Sequence, residues 1–460
     1  MSDQTTRRDF LKVVAGTGVG LAVTGGMAGH PARAETGGRP PGDGYVGGLT
    51  TAKLDTVRWG FIGVGARGSG HVRRVLKLEG VEVVAIAEPR AEAAEGSAKV
   101  CVDAGRKRPA LYTQGDHDYR RMLERDDIDA VLISTPWRWH APQAVEAMRA
   151  GKHAFLEVPI ATTVEDCWEL VETAEKTRRH CMMMENVCYG RTELMYLNMC
   201  RLGVLGDLLH GEAAYIHDLR SQMKHMKFRT GVWRTPHWQK RNGNLYPTHG
   251  LGPVAQYMSI NRRDDRFDFL VSLSSPALGR AEYAKKNFPP DHPRNRTPYR
   301  CGDINTSLIK TARGRTIMVQ WDTSTPRPYS RHNLIQGTRG VLAGFPTRLT
   351  IEGRGNVHHW TERDALKPYY EEFDHPLWKK VGEAARKAGG HGGMDFVMLW
   401  RLVYCLRNGE PMDQNVYEGC SWSVVSPLSE QSVATGGKPI AFPDFTRGRW
   451  KETAPLEIVS

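Results

Sequence analysis

Between residues 56 and 185 the chain alternates short apolar runs with longer amphipathic stretches. Thr56-Val57-Arg58-Trp59-Gly60-Phe61-Ile62 reads as a buried strand, and residues 69–78 follow with apolar positions at helical spacing. Residues 81–87, 128–134, 153–157 and 181–185 are further strand-like runs, with helical patterns over 140–150 and 162–177. Strands alternating with helices predict a parallel, doubly wound sheet whose ligands lie beyond the carboxyl ends of the strands. That rule singles out residues 135–140, Glu157-Val158 and Asn186.

Past Tyr189 the period changes. Residues 211–218, 267–274, 306–312, 316–321 and 332–337 are strand candidates without helices of their own length between them, which suggests a mostly antiparallel sheet. Helical spacing returns at 253–258 and at 394–407. The fold class is therefore α/β: an N-terminal Rossmann-type parallel sheet over 56–186, then an α/β domain with an open, mostly antiparallel sheet over 187–460. Two domains suit a chain of 460 residues.

The first residues follow neither pattern. Thr6-Arg7-Arg8-Asp9-Phe10-Leu11-Lys12 matches a twin-arginine export signal. A mildly apolar, Gly-rich stretch over 13–27 follows, then Ala32-Arg33-Ala34, whose small residues suit cleavage. Residues 1–34 are expected to direct folded export through the twin-arginine machinery, to the periplasm or beyond, and the Gly- and Pro-rich residues 35–55 read as a linker. No apolar run in the mature region is long enough to span a bilayer, so stable membrane insertion is not expected.

Formal net charge is +12. Residues 1–34 carry Arg7, Arg8, Lys12 and Arg33 against Asp3 and Asp9, which is +2 and leaves +10. No basic stripe with interleaved aromatics and no zinc-finger spacing accompanies that charge, so a nucleic-acid partner is not expected. The 8 cysteines are scattered, without a Cys-x-x-Cys pair, and several lie in apolar patterns; they read as buried free thiols.

The chemistry begins at Gly63-Val64-Gly65-Ala66-Arg67-Gly68, a G-x-G-x-x-G run directly between strand and helix. Gly63 suits the tight turn, Gly65 the close approach of backbone to a pyrophosphate, and Gly68 the packing of helix on strand. Glu88 ends the second strand twenty residues past Gly68, where a carboxylate can bind ribose hydroxyls. That favours NAD, with Arg90 leaving NADP as the minority alternative. Tyr246-Pro247-Thr248-His249-Gly250 opens a helical stretch, and a histidine there can take a hydroxyl proton. His391 and Asp395 stand four apart, as in a metal pair; a helix start with Asp395 in its first turn is the preferred reading, and no metal is expected.

Together with Thr135-Pro136 followed by His140, and with Glu157-Val158-Pro159, the fingerprint resembles the Gfo/Idh/MocA oxidoreductases. Sugar dehydrogenases of that family carry Glu-Lys-Pro at the last motif; Val158 cannot exchange a proton. Trp137-Arg138-Trp139-His140, Glu185-Asn186-Val187-Cys188-Tyr189, Trp233-Arg234, Tyr246 to Gly250 and His391-Gly392-Gly393-Met394-Asp395 resemble more closely one branch, glycoside hydrolase family 109, the NAD-dependent α-N-acetylgalactosaminidases. The resemblance implies NAD held by Gly63, Gly65, Ala66, Arg67, Gly68, Glu88, Trp137, Arg138, Trp139, His140, Glu157, Val158 and Asn186. It implies a sugar held by Tyr215, Arg234, Tyr246, Pro247, Thr248, His249 and Tyr329, with catalytic roles for His249, Tyr246 and Tyr189. The implied reaction is redox-neutral glycoside hydrolysis: oxidation at C3, loss of the C2 proton with elimination at C1, addition of water, and re-reduction. Pairing into a homo-oligomer is implied as well. Two alternatives share these features: a periplasmic sugar oxidoreductase of the same type, and a non-catalytic sugar-binding protein with a structural NAD. Residues 221–244 and 276–301 read as loops that shape the sugar pocket.

Overall fold

The computed structural model describes residues 44–456. The export signal and the first part of the linker lie outside them. Six strands form the first sheet: β1 (Val57–Ile62), β2 (Val81–Ala87), β3 (Ala110–Tyr112), β4 (Ala130–Ile133), β5 (His153–Leu156) and β6 (Cys181–Met183). Their order is β3-β2-β1-β4-β5-β6, every pairing is parallel, and the order reverses at β1. β1 and β4 are apolar along nearly their whole length because helices cover both faces of the sheet.

The second sheet has nine strands, in the order β14-β13-β12-β11-β7-β10-β9-β8-β15. They are β7 (Leu208–Ile216), β8 (Phe267–Ser274), β9 (Ile304–Thr311), β10 (Thr316–Asp322), β11 (Leu334–Gly337), β12 (Gly340–Ala343), β13 (Arg348–Ile351), β14 (Thr361–Glu362) and β15 (Ile440–Ala441). The sheet is antiparallel except where β7 runs parallel to β10. β12 to β14 escape a reading by alternation because they are short and broken by glycines. β11 starts two residues later than its pattern suggests, since His332 and Asn333 take left-handed conformations, φ 55° and 53°, that a strand cannot include. Residues 221–244 and 276–301 are not plain loops: they carry the helices Thr230–Lys240 and Gly279–Asn287.

One helix, Thr248–Tyr257, joins the two sheets, and glycines decide how closely it can lie. A Cβ on Gly250 would meet the β7 backbone at Ala214 N, 2.3 Å away, and one on Gly211 would meet the Val254 side chain at 2.4 Å. A Cβ on Gly252 would press on Glu185 at 3.0 Å, beyond the end of β6. The helix start that carries His249 is thereby set against both the second sheet and the end of the first.

A buried ion network makes the other join. Arg67 lies in the first turn of the helix Ala66–Val75, and Asp395 in the first turn of Met394–Asn408, a helix of the C-terminal half. The Arg67 guanidinium donates to Asp395 at 2.8 Å and to Glu157 at 2.5 Å. Asp395 also accepts from Asn186 Nδ2 at 2.7 Å and lies 3.7 Å from Arg74. Burial alone would raise both carboxyls, but the Arg67 charge and their hydrogen bonds outweigh it and hold them well below the usual carboxylate range. A carboxyl depressed in the folded state stabilises the fold above its unfolded pKa of about 4, and that contribution is lost as pH falls below it. Asp395→Asn is therefore expected to lower the unfolding free energy by about 3 kcal/mol at neutral pH. It should also flatten the loss of stability on acidification. Urea titrations at neutral and acid pH check both, and parallel curves for variant and wild type would count against the network.

Candidate active site

The loop from β1 into the helix Ala66–Val75 has the shape of a dinucleotide cradle. Gly63 has φ +83°, a conformation open to glycine at little cost. A Cβ on Gly68 would fall 2.0 Å from the Gly63 carbonyl oxygen, so helix and turn touch as backbone on backbone. A Cβ on Gly65 would meet only the tip of Arg90, at 3.6 Å, and would otherwise fill the space at the helix N-terminus where a phosphate binds. Glu88, buried just past the end of β2, accepts from the Val64 amide at 3.1 Å and from Arg90 Nε at 3.0 Å. These residues fit NAD: a glycine turn, an open helix N-terminus and a carboxylate at the ribose end.

Across the strand ends lies a histidine on a carboxylate. His249 Nδ1 is 2.7 Å from Glu185 Oε1, and Glu185 is fully buried beyond β6. A carboxylate accepts from an N–H, so Nδ1 carries the proton and Nε2 is left as the acceptor facing the cleft. Glu185 Oε2 has no partner within the protein. Glu185 is the functional residue that the sequence reading missed. It stood inside a recognised motif, but its partner lies 64 residues away and no spacing rule links them.

Aromatic rings enclose the histidine. Tyr246 meets it edge-on at 4.9 Å and Tyr215 at 5.4 Å, and Tyr215 and Tyr246 lie 4.7 Å apart. Trp137 stacks on Tyr246 at 5.7 Å, so the Rossmann domain supplies one wall. The Arg234 guanidinium lies over Trp137, Trp233 and Tyr246, and its buried Nε has no partner. Tyr215 Oη is 3.0 Å from His217 Nδ1, and Tyr329 meets the His217 ring edge-on at 5.1 Å. A guanidinium with a spare donor among aromatic faces suits a polar sugar bearing a carbonyl group.

The structure brings Tyr215, Arg234, Tyr246, His249, Tyr329 and Trp137 together, with Pro247 and Thr248 in the backbone between Tyr246 and His249. Gly63, Gly65, Ala66, Gly68 and Glu88 form the cradle, while Arg138 lies over the Trp139 ring. Val158 is buried. Five other side chains are turned elsewhere. Both His140 ring nitrogens lie on backbone oxygens, Pro159 O at 2.7 Å and Thr135 O at 2.8 Å, so His140 ties loops together and has no nitrogen left for a ligand. Arg67, Glu157 and Asn186 spend their polar atoms on the buried network. Tyr189 donates to Asp413 at 3.2 Å and lines a small cavity with Gln256, two turns along the helix from His249. Burial drives its phenol far up, and its hydroxyl is committed to Asp413. His391 and Asp395 bond to each other at 3.0 Å, and no cluster of metal-ligating residues occurs among the described residues.

The two glycines separate binding from folding. Gly65→Ala should leave the thermal midpoint of the nucleotide-free protein unchanged while reducing the dinucleotide retained after gel filtration. Gly68→Ala should lose both, because its methyl group meets backbone. Equal behaviour of the two variants would contradict the cradle.

Comparison with known proteins agrees with this geometry. Residues 57–185 match the model of the oxidoreductase family with the NAD-binding Rossmann fold, and residues 189–452 match the glycosyl hydrolase 109 C-terminal domain. A glycosyl hydrolase family 109 protein of Shewanella baltica is 59% identical over 455 residues, 98% of either chain. An alpha-N-acetylgalactosaminidase of Shewanella oneidensis is 58% identical over the same span, again 98% of either chain. Among solved structures, levoglucosan dehydrogenase with NADH superposes with a TM-score of 0.64 at 19% identity, covering 84% of this chain and 99% of that one. The aldose-aldose oxidoreductase of Caulobacter crescentus gives 0.60 at 15%, covering 84% and 100%. At such identities the superpositions speak for the fold alone. An NAD-binding Rossmann domain joined to this C-terminal domain, with relatives matching end to end, makes the chain a member of glycosyl hydrolase family 109.

Proposed function

We propose that this protein hydrolyses α-N-acetylgalactosaminides, or a closely related glycoside, by redox-neutral use of a retained NAD. The observation that carries the reading is the state of the site's carboxylates. Ordinary glycosidases need a free carboxylate pair flanking the bond to be cleaved. Here Glu157 is spent on Arg67 and His71, and Glu185 on His249. What remains at the sugar is a histidine with a free acceptor nitrogen, phenols, and a guanidinium.

The bound nicotinamide would supply a reversible two-electron acceptor at one sugar carbon. His249 Nε2 takes the proton of the hydroxyl at that carbon, and Glu185 stabilises the imidazolium that results. Arg234 and the rings of Trp137, Tyr246 and Tyr215 orient the sugar and exclude water. The Shewanella oneidensis relative, named an alpha-N-acetylgalactosaminidase, supports this choice of sugar. The twin-arginine pattern supports export in the folded state, with the nucleotide already in place. The open face of the second sheet supports pairing of two chains: Leu273 and Leu308 are 65% and 44% exposed and share that face.

Purified protein without added cofactor is expected to release p-nitrophenol from p-nitrophenyl α-N-acetylgalactosaminide. In deuterated water the sugar product should carry deuterium at C2 and keep its oxidation state. A lactone or keto sugar as the final product would instead establish a sugar oxidoreductase. Glu185→Gln is expected to lower kcat by about 10²-fold with little change in KM, since the carboxylate acts on the proton transfer. A change in KM alone would make Glu185 a packing residue.

A further inference from the structure

In the reading just given the cleft encloses a single sugar, and this inference rests on that reading. Whatever that sugar is joined to must continue out of the cleft toward solvent. A row of rings leads the same way from His249. Tyr215 stands 5.4 Å from it, His217 5.6 Å from Tyr215, Tyr329 5.1 Å from His217, and Phe345 5.6 Å from Tyr329. Tyr215 is buried, whereas Tyr329 and Phe345 are 42% and 36% exposed, so the row ends at the mouth of the cleft.

Single exposed rings are common on protein surfaces. Phe345 is set apart by how firmly it is held. It lies in the turn between β12 and β13, and the start of that turn is pinned from two sides. The Gly344 amide donates to the His332 carbonyl at 2.9 Å, and Tyr196 Oη donates to the Ala343 carbonyl at 2.8 Å. Arg331, itself buried, lies over the Phe345 ring with its guanidinium 4.7 Å from the centroid. The same guanidinium donates to Glu193 at 2.6 Å and to Tyr329 Oη at 2.8 Å, so one side chain fixes both exposed rings. Phe345 also has φ 55°, a left-handed conformation that is costly for a bulky residue and that Gly or Asn takes with less strain. A strained, firmly mounted ring at the mouth of a sugar cleft points to contact with a ligand.

We propose that Phe345 is the platform for the group on the far side of the scissile bond: the pyranose next to the cleaved sugar lays its apolar C–H face on the Phe345 ring. The substrate class is then a glycan whose terminal N-acetylgalactosamine is joined to a second sugar, rather than to a small or acyclic group. A pyranose offers an apolar face and a polar edge, so it can cover an aromatic ring while its hydroxyls stay in water. A contact of this kind strengthens binding about tenfold. Arg331 is a positioning residue, which holds the ring in place before the glycan arrives.

The test uses the full protein with its own bound NAD and two substrates. One is methyl α-N-acetylgalactosaminide, which has no second ring; the other is whichever disaccharide of that sugar with a hexose is cleaved best. Released N-acetylgalactosamine is measured by chromatography. The wild type should prefer the disaccharide. Phe345→Asn removes the ring and suits the left-handed turn. It should lower kcat/KM on the disaccharide about tenfold, mainly through KM, and leave the methyl glycoside unchanged. Phe345→Tyr should keep wild-type values on both. A wild-type preference for the methyl glycoside overturns the platform, as does a Phe345→Asn variant that changes both substrates equally or neither. A variant that elutes as a smaller species than the wild type places Phe345 between copies of the chain and overturns it too. Wild-type protein that cleaves neither substrate overturns the glycosidase reading and takes the platform with it. A platform that fails while the wild type turns over leaves that reading standing.

Discussion

Arg67 is the pivot of the structure. It belongs to the glycine fingerprint by sequence, yet its guanidinium is turned from the phosphate side toward two carboxylates, Glu157 and Asp395. A buried carboxylate is tolerable only with a charge partner and hydrogen bonds, and neither acid has another partner that is always charged as close. The helix that would receive a pyrophosphate is thus bound to the C-terminal half through one side chain. Asn186 extends the network to the residue following Glu185, so the cradle and His249 share a rigid support. Second-tier contacts of this kind hold reacting groups in place within tenths of an ångström.

The helix Thr248–Tyr257 shows the same economy from the side of packing. Gly250 and Gly252 face opposite neighbours, the β7 backbone and Glu185. Were either neighbour farther away, His249 Nδ1 could not reach the carboxylate. The glycines lower the helix's own stability, by about 1 kcal/mol each relative to alanine, and that cost is offset by burial on both faces.

The Rossmann half was largely legible in the sequence because its signals are local: β-branched strands, a glycine run in register, an acid at a strand end. The second sheet was legible only in outline, since its outer strands are two to four residues long and bounded by positive-φ residues rather than by clear turn signals. Within the site, Tyr215, Arg234, Tyr246 and His249 lie together. What the sequence concealed are the pairings. His140 looked like a ligand residue and is a loop tie; Asp395 looked like a helix-dipole partner and is the counter-charge of Arg67.

Val158 is a buried, uncharged residue next in the chain to Glu157, a member of a network already balanced in charge. The buried network holds two negative carboxylates, Glu157 and Asp395, facing Arg67 and Arg74, while burial keeps His71 neutral. That set is neutral as it stands. A lysine at 158 would add a third cation next in the chain to Glu157, at a position screened from solvent. It would either lose its proton or draw Glu157 away from Arg67, and in the second case the cradle helix would lose its tie to the strand end. An uncharged valine preserves the tie, and in the proposed reaction proton transfer falls to His249, held by Glu185. In that reading the proton acceptor stands where a buried carboxylate can neutralise the charge it gains.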